Sequence, residues 1–129
     1  MLGIALLYIG AVLVINGMYL LGKVDGKSAG VMNIITGGLT LILNAMLIFK
    51  ATEAAEFFLA AAGLLFCFTY IYLAISIFFN LELDGFGWYC LFVAITALPS
   101  SYLSFSGGAA TFGIMWLIWA FLWFLFFLL

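Results

Sequence analysis

Five uninterrupted apolar runs, at residues 2–21, 31–49, 57–79, 86–103 and 109–129, decide what this chain can become, because every charged side chain lies between them. Each run approaches the about 20 residues that an α-helix needs to cross a hydrocarbon layer of ~30 Å. With 70% of residues hydrophobic and 6% charged, the chain cannot cover a water-facing surface, which excludes a soluble domain. The connections are short, so consecutive helices must lie side by side. The expected fold class is therefore all-α and polytopic, a single transmembrane domain over residues 1–129 made of antiparallel hairpins.

The charges orient this arrangement. Lys23 and Lys27 lie in the first connection, whereas the third holds only Glu82 and Asp84. The positive-inside rule then makes the first connection cytoplasmic and leaves the N-terminus outside. The first run has no basic stretch before it and is too long for the apolar part of a signal peptide, so it is expected to be a retained span. The last run ends with no polar residue after it, and an odd number of spans leaves the final hairpin without a return helix. A sixth span is therefore expected to belong to the complete protein.

Several functions fall away on composition. There is no Arg and only three Lys, so nothing here makes a nucleic-acid footprint. Cys67 and Cys90 lie within or at the edge of apolar runs, without a CxxC pattern or a nearby His, and read as small core residues. No metal site and no cofactor are expected. No nucleophile has a base near it, so an enzyme is not expected either.

The spans carry regular stripes. At about 100° per residue, Phe112, Trp116, Trp119 and Trp123 fall on one face of the last helix, since their spacings are four, three and four. Tryptophan in membrane helices normally collects at the water interfaces, yet Trp119 sits mid-span. An indole N–H facing lipid there would lack a partner, so the stripe should face other helices or a cavity. Two readings stand: aromatic packing between helices, or the wall of a slot for a small uncharged solute.

Helix one repeats the same spacing in Leu2, Leu6, Ile9 and Leu13, with Gly3, Gly10 and Gly17 on a neighbouring face, where they would let another backbone approach. Asn16 continues the leucine stripe and reads as an interhelical amide. Helix two aligns Asn33, Gly37, Thr40 and Asn44, a polar stripe that either bonds helices together or lines a wet path. Helix three places Phe66 and Tyr70 one turn apart, by default a core aromatic pair. Pro99 predicts a kink or an end for helix four. Ser106, Gly107 and Gly108 read as a loop, without the flanking pattern of a phosphate-binding turn.

The segments LLYIGAVLVINGM (6–18), GKVDGKSAGVMN (22–33), GLLFCFTYIY (63–72), WYCLFVAITALP (88–99) and WLIWAFLW (116–123) resemble the bacterial urea/amide channel family, in order and across nearly the whole chain. That family includes the proton-gated urea channel of gastric bacteria and the transporter encoded beside aliphatic amidases. The resemblance implies six helices in three hairpins, and a hexamer with one solute path per protomer. It assigns the pinched part of the path to Leu2, Leu6, Ile9 and Leu13, to Phe66 and Tyr70, and to Trp116, Trp119, Leu122 and Trp123. Phe112 matches a position where the urea channel has tryptophan.

What the resemblance implies is a passive channel for urea or short aliphatic amides in the bacterial cytoplasmic membrane. The rival is a scaffold subunit of a membrane complex, whose aromatics would only pack. Three departures from the family pattern stand out: the sixth helix is missing, the second connection is shorter than in the acid-gated member, and the chain has no histidine. Histidine is the side chain that ordinarily titrates near pH 6.5, so a channel without acid gating is expected.

Overall fold

The computed structural model describes the backbone of residues 2–129, with side chains from Gly3 onward. Five α-helices follow one another: α1 (Leu2–Leu20), α2 (Gly26–Lys50), α3 (Ala54–Phe79), α4 (Asp84–Ser106) and α5 (Ala110–Leu128). All five are long and apolar enough to cross a bilayer. They fall into two compact units, Met1–Glu82 with α1, α2 and α3, and Leu83–Leu129 with α4 and α5.

Three helix boundaries differ from those expected by three residues or more. α2 starts at Gly26, five residues before the expected position 31, because Asp25 caps it: its carboxylate accepts from the Ser28 backbone N–H at 3.0 Å and from the Ser28 hydroxyl. α3 starts at Ala54 instead of position 57, on a reciprocal cap between Glu53 and Glu56. The Glu56 carboxylate also accepts from the Thr52 N–H at 2.7 Å. α4 runs through Pro99 to Ser106. Proline removes one backbone donor, and a membrane helix carries that loss where neighbouring hydroxyls and helices support it. Thr96, Ser100 and Ser104 each donate to a carbonyl of this helix, the last to Ser100 O at 2.8 Å.

In the first unit α2 is the shared element, packing on α1 and along α3. The α2/α3 approach is close enough to require glycine. A Cβ on Gly37 would stand 2.6 Å from the Ile71 side chain, and one on Gly63 would collide with the Asn44 amide. Asn80 ends α3 in the left-handed conformation (φ 50°), which asparagine tolerates. In the second unit Gly113 leaves room for the Phe105 ring, and the Ser101 hydroxyl donates to Gly113 O at 2.8 Å. Farther along the same hairpin, Phe86 meets Phe126 edge-on and Trp88 lies 5.2 Å from Phe127.

Candidate functional site

α5 sorts its residues by face. Ile114, Leu117, Ile118, Phe121, Phe124, Leu125 and Leu128 form an exposed stripe at helical spacing, suited to hydrocarbon. The opposite face carries the tryptophans. Trp123 is 4% exposed and Trp116 9%, while Phe112, Trp119 and Leu122 are half-buried. Trp116 and Trp119 meet edge to face, with ring centroids 5.3 Å apart. Two of the three indoles on this stripe are thus withdrawn from the helix's outer surface.

The first unit holds the other candidate wall residues. Phe66 and Tyr70 are buried one turn apart on α3, with Thr69 beside them donating to Leu65 O at 2.7 Å. On α1, Ile9 is buried and Leu6 and Leu13 are half-buried. The Leu2 side chain lies outside the described residues. Val12, fully buried on α1, was not singled out by spacing, because a lone valine in an apolar run carries no signal.

The polar side chains of the α2 stripe, Asn33, Thr40 and Asn44, are bonded inside the unit. Asn16 and Asn33 exchange amide hydrogen bonds between α1 and α2: Asn33 Nδ2 donates to Asn16 Oδ1 at 2.6 Å, and Asn16 Nδ2 to Asn33 Oδ1 at 3.1 Å. Asn33 also donates to Ala29 O. Thr40 donates to Thr36 O and Gly37 O, and Asn44 to Thr40 O, each bond staying within α2. Cys67 of α3 reaches across, its thiol donating to Gly37 O at 3.3 Å. Asn33, Gly37, Thr40 and Asn44 are all buried. Two further hydroxyls, Thr36 Oγ1 and Ser76 Oγ, are buried without a hydrogen-bond partner.

The glycine face of α1 behaves differently. Gly3, Gly10 and Gly17 are exposed, and a Cβ added to any of them would meet nothing within 4 Å. Leu7 (72%), Val14 (65%) and Leu21 (73%) alternate with them along the same exposed strip.

A model of the AmiS/UreI family transporters matches residues 1–129. The chain belongs to this family. Among curated family members, it is 46% identical over 127 residues to AmiS2 of Rhodococcus erythropolis, named as a transporter; the match covers 97% of this chain and 62% of that protein. It is 39% identical to the acid-activated urea channel of Helicobacter pylori over a 153-residue alignment that covers 95% of this chain and 78% of the channel. The crystal structure of the H. pylori urea channel superposes with a TM-score of 0.91 at 40% identity, covering 98% of this chain and 79% of that one. A cryo-electron microscopy structure of the same channel in a closed state gives a TM-score of 0.91 at 39% identity, covering 99% of this chain and 80% of that one. The chain thus has the fold of the urea channel over its own length. It spans about three fifths of the length of two curated relatives, AmiS2 at 62% and a Mycolicibacterium smegmatis protein named for the transport of amidate substrates at 61%.

Proposed function

We propose that this protein is a passive channel for small, uncharged, planar amides, urea or short-chain aliphatic amides, across the bacterial cytoplasmic membrane. The observation that carries the reading is the withdrawal of Trp116, Trp123, Phe66 and Tyr70 from the exposed surface of an otherwise apolar chain. In this reading they wall the path, together with Leu2, Leu6, Ile9, Leu13, Phe112, Trp119 and Leu122.

Urea and amides cross lipid poorly because their N–H and C=O groups lose water partners there. A slot between rings admits a flat solute edge-on, and indole N–H and phenol groups present hydrogen bonds to it in turn. Weak successive contacts let it leave again. Ions are rejected, since apolar walls do not offset their dehydration. Among the described residues every side-chain carboxylate and amine lies in a connection or in the first or last turn of a helix, so no described span interior carries a coupling site for an ion. Transport then follows the solute gradient, which a cytoplasmic urease or amidase would maintain.

The N-terminus lies outside in this reading, and the protein works as a homo-oligomer, a hexamer by analogy with its family. The exposed glycine and leucine strip of α1 suits close helix packing between copies. Reconstituting the full-length protein in liposomes and following urea and acetamide entry by light scattering tests the proposal. Permeability above that of empty liposomes supports it. Permeability equal to theirs refutes it and favours a scaffold role.

A further inference from the structure

A groove of about 490 Å³ opens where α1 and α2 converge on their connection. Its walls are apolar, from Ile15 of α1 and Val31, Met32 and Ile35 of α2, while Lys23, Asp25 and Ser28 stand at its connection end. Val31 and Ile35 are each 51% exposed, so the groove opens at the surface of the first unit and not into its core.

The charges at this end are unequal in what they leave available. Asp25 already directs its carboxylate to Ser28, through the backbone N–H and the hydroxyl, as the cap of α2. Two lysines, Lys23 and Lys27, stand against that single aspartate, and Lys23 lines the groove. The groove therefore pairs a cation at its connection end with an apolar slot running along α1 and α2. Water does not fill such a slot favourably, and a free anion would leave its apolar part empty.

From this charge and polarity pattern we propose that the α1/α2 groove is a binding site for an anionic phospholipid, with the phosphate beside Lys23 and an acyl chain along Ile15, Val31, Met32 and Ile35. Basic pockets between transmembrane helices recognise lipid headgroups in this way. The site depends on the chain's being in a bilayer and not on which solute it passes.

The test uses the full-length protein in bilayers doped with spin-labelled phosphatidylglycerol or phosphatidylcholine, reading the motionally restricted lipid by electron paramagnetic resonance. Wild type should select phosphatidylglycerol. Lys23→Gln should reduce that selectivity about fivefold, the effect of ~1 kcal/mol for one cation near a membrane surface. Lys50→Gln removes the same charge at the opposite end of α2 and should leave the selectivity in place. Val31→Trp, which fills the groove, should lower restricted lipid of both kinds, and millimolar glycerol phosphate should not compete. Equal selection of the two lipids by wild type, or equal effects of Lys23→Gln and Lys50→Gln, would overturn the proposal. So would a Val31→Trp protein that keeps its restricted lipid but changes oligomeric state, which would make the groove a contact between copies.

Discussion

Replacing Asn16 with Leu should loosen α1 from α2 more than the loss of packing alone would. Asn16 is 4% exposed and its partner Asn33 fully buried, and the two exchange bonds of 2.6 and 3.1 Å. Single interhelical hydrogen bonds in membrane proteins average ~0.6 kcal/mol and reach about 1.7. Two bonds therefore give about 1–3 kcal/mol. The orphaned Asn33 Oδ1 adds a desolvation cost of up to ~1–3 kcal/mol where no other donor replaces Asn16. Asn33 Nδ2 keeps its bond to Ala29 O, which limits the damage on that side. The double replacement Asn16→Leu, Asn33→Leu removes both amides, leaves no orphan, and should cost less than the sum of the two single changes by about 1–2 kcal/mol. Equilibrium unfolding of the four proteins in mixed micelles, followed by steric trapping of α1, measures this difference. Additivity within ~0.5 kcal/mol, the scatter of independent sites, would show that the pair does not couple the helices.

Three other outcomes follow from the site and its surroundings. Trp119→Ala or Trp123→Ala should alter urea or acetamide flux in the liposome assay; because Trp123 is 4% exposed, its loss should also cost about 3–5 kcal/mol of stability, whereas half-buried Trp119 should cost less. Unchanged permeability to both solutes would remove the stripe from the mechanism. Flux should vary little between about pH 5 and 7.5, since the chain has no histidine, and a steep acid activation would place a gate on other groups. At the start of α2, the Ser28 hydroxyl and then the Ser28 N–H hold the exposed Asp25 carboxyl below its ordinary range. Its contribution to that cap is fully present above the ordinary carboxylate pKa and is lost as pH falls through the lowered value. Amide exchange at 26–30, corrected for its intrinsic pH dependence, should therefore accelerate only in strong acid, and Ser28→Ala should move that acceleration to higher pH. No such movement would separate the cap from the titration.

The spans are legible in the sequence because charge falls only between them, whereas their ends are not. Asp25, Ser28, Glu53 and Glu56 are polar and resemble connection residues, yet each serves to start a helix, so α2 and α3 extend beyond their apolar cores. Pro99 leads to the same underestimate at the end of α4, since of its two readings, a kink or an end, the end fails where surrounding protein supports the backbone. Spacing identifies which residues share a face but not what lies opposite that face. The stripe of Asn33, Gly37, Thr40 and Asn44 has the same period whether it is wetted or packed, and the structure buries it with its donors bonded within the unit. Gly37 and Gly63 hold the deciding information, because a helix without side chains at those points can approach closely enough to cover the stripe. The glycines of α1 carry the same sequence signal and face nothing in the described residues, so spacing alone does not identify a contact.

This allocation of polar groups bears on what a path through the protein would select. The span amides of Asn16, Asn33 and Asn44 and the hydroxyl of Thr40 are engaged between or within helices. The carboxylates and amines stay at helix ends and in connections. A solute between the candidate wall residues would thus meet mainly rings and aliphatic side chains, with indole and phenol groups as the polar contacts. In the proposed path an ion would gain little to offset its lost hydration, and a bulky apolar molecule would be limited by the width of the path. A flat molecule with a few N–H and C=O groups satisfies both conditions, since its faces lie against rings while its edge exchanges hydrogen bonds. Among neutral amides, discrimination in such a path should follow shape more than polar-group chemistry. Urea and acetamide should therefore differ in flux far less than either differs from a bulkier or branched amide, and equal passage of a branched amide would show that rings do not set the width.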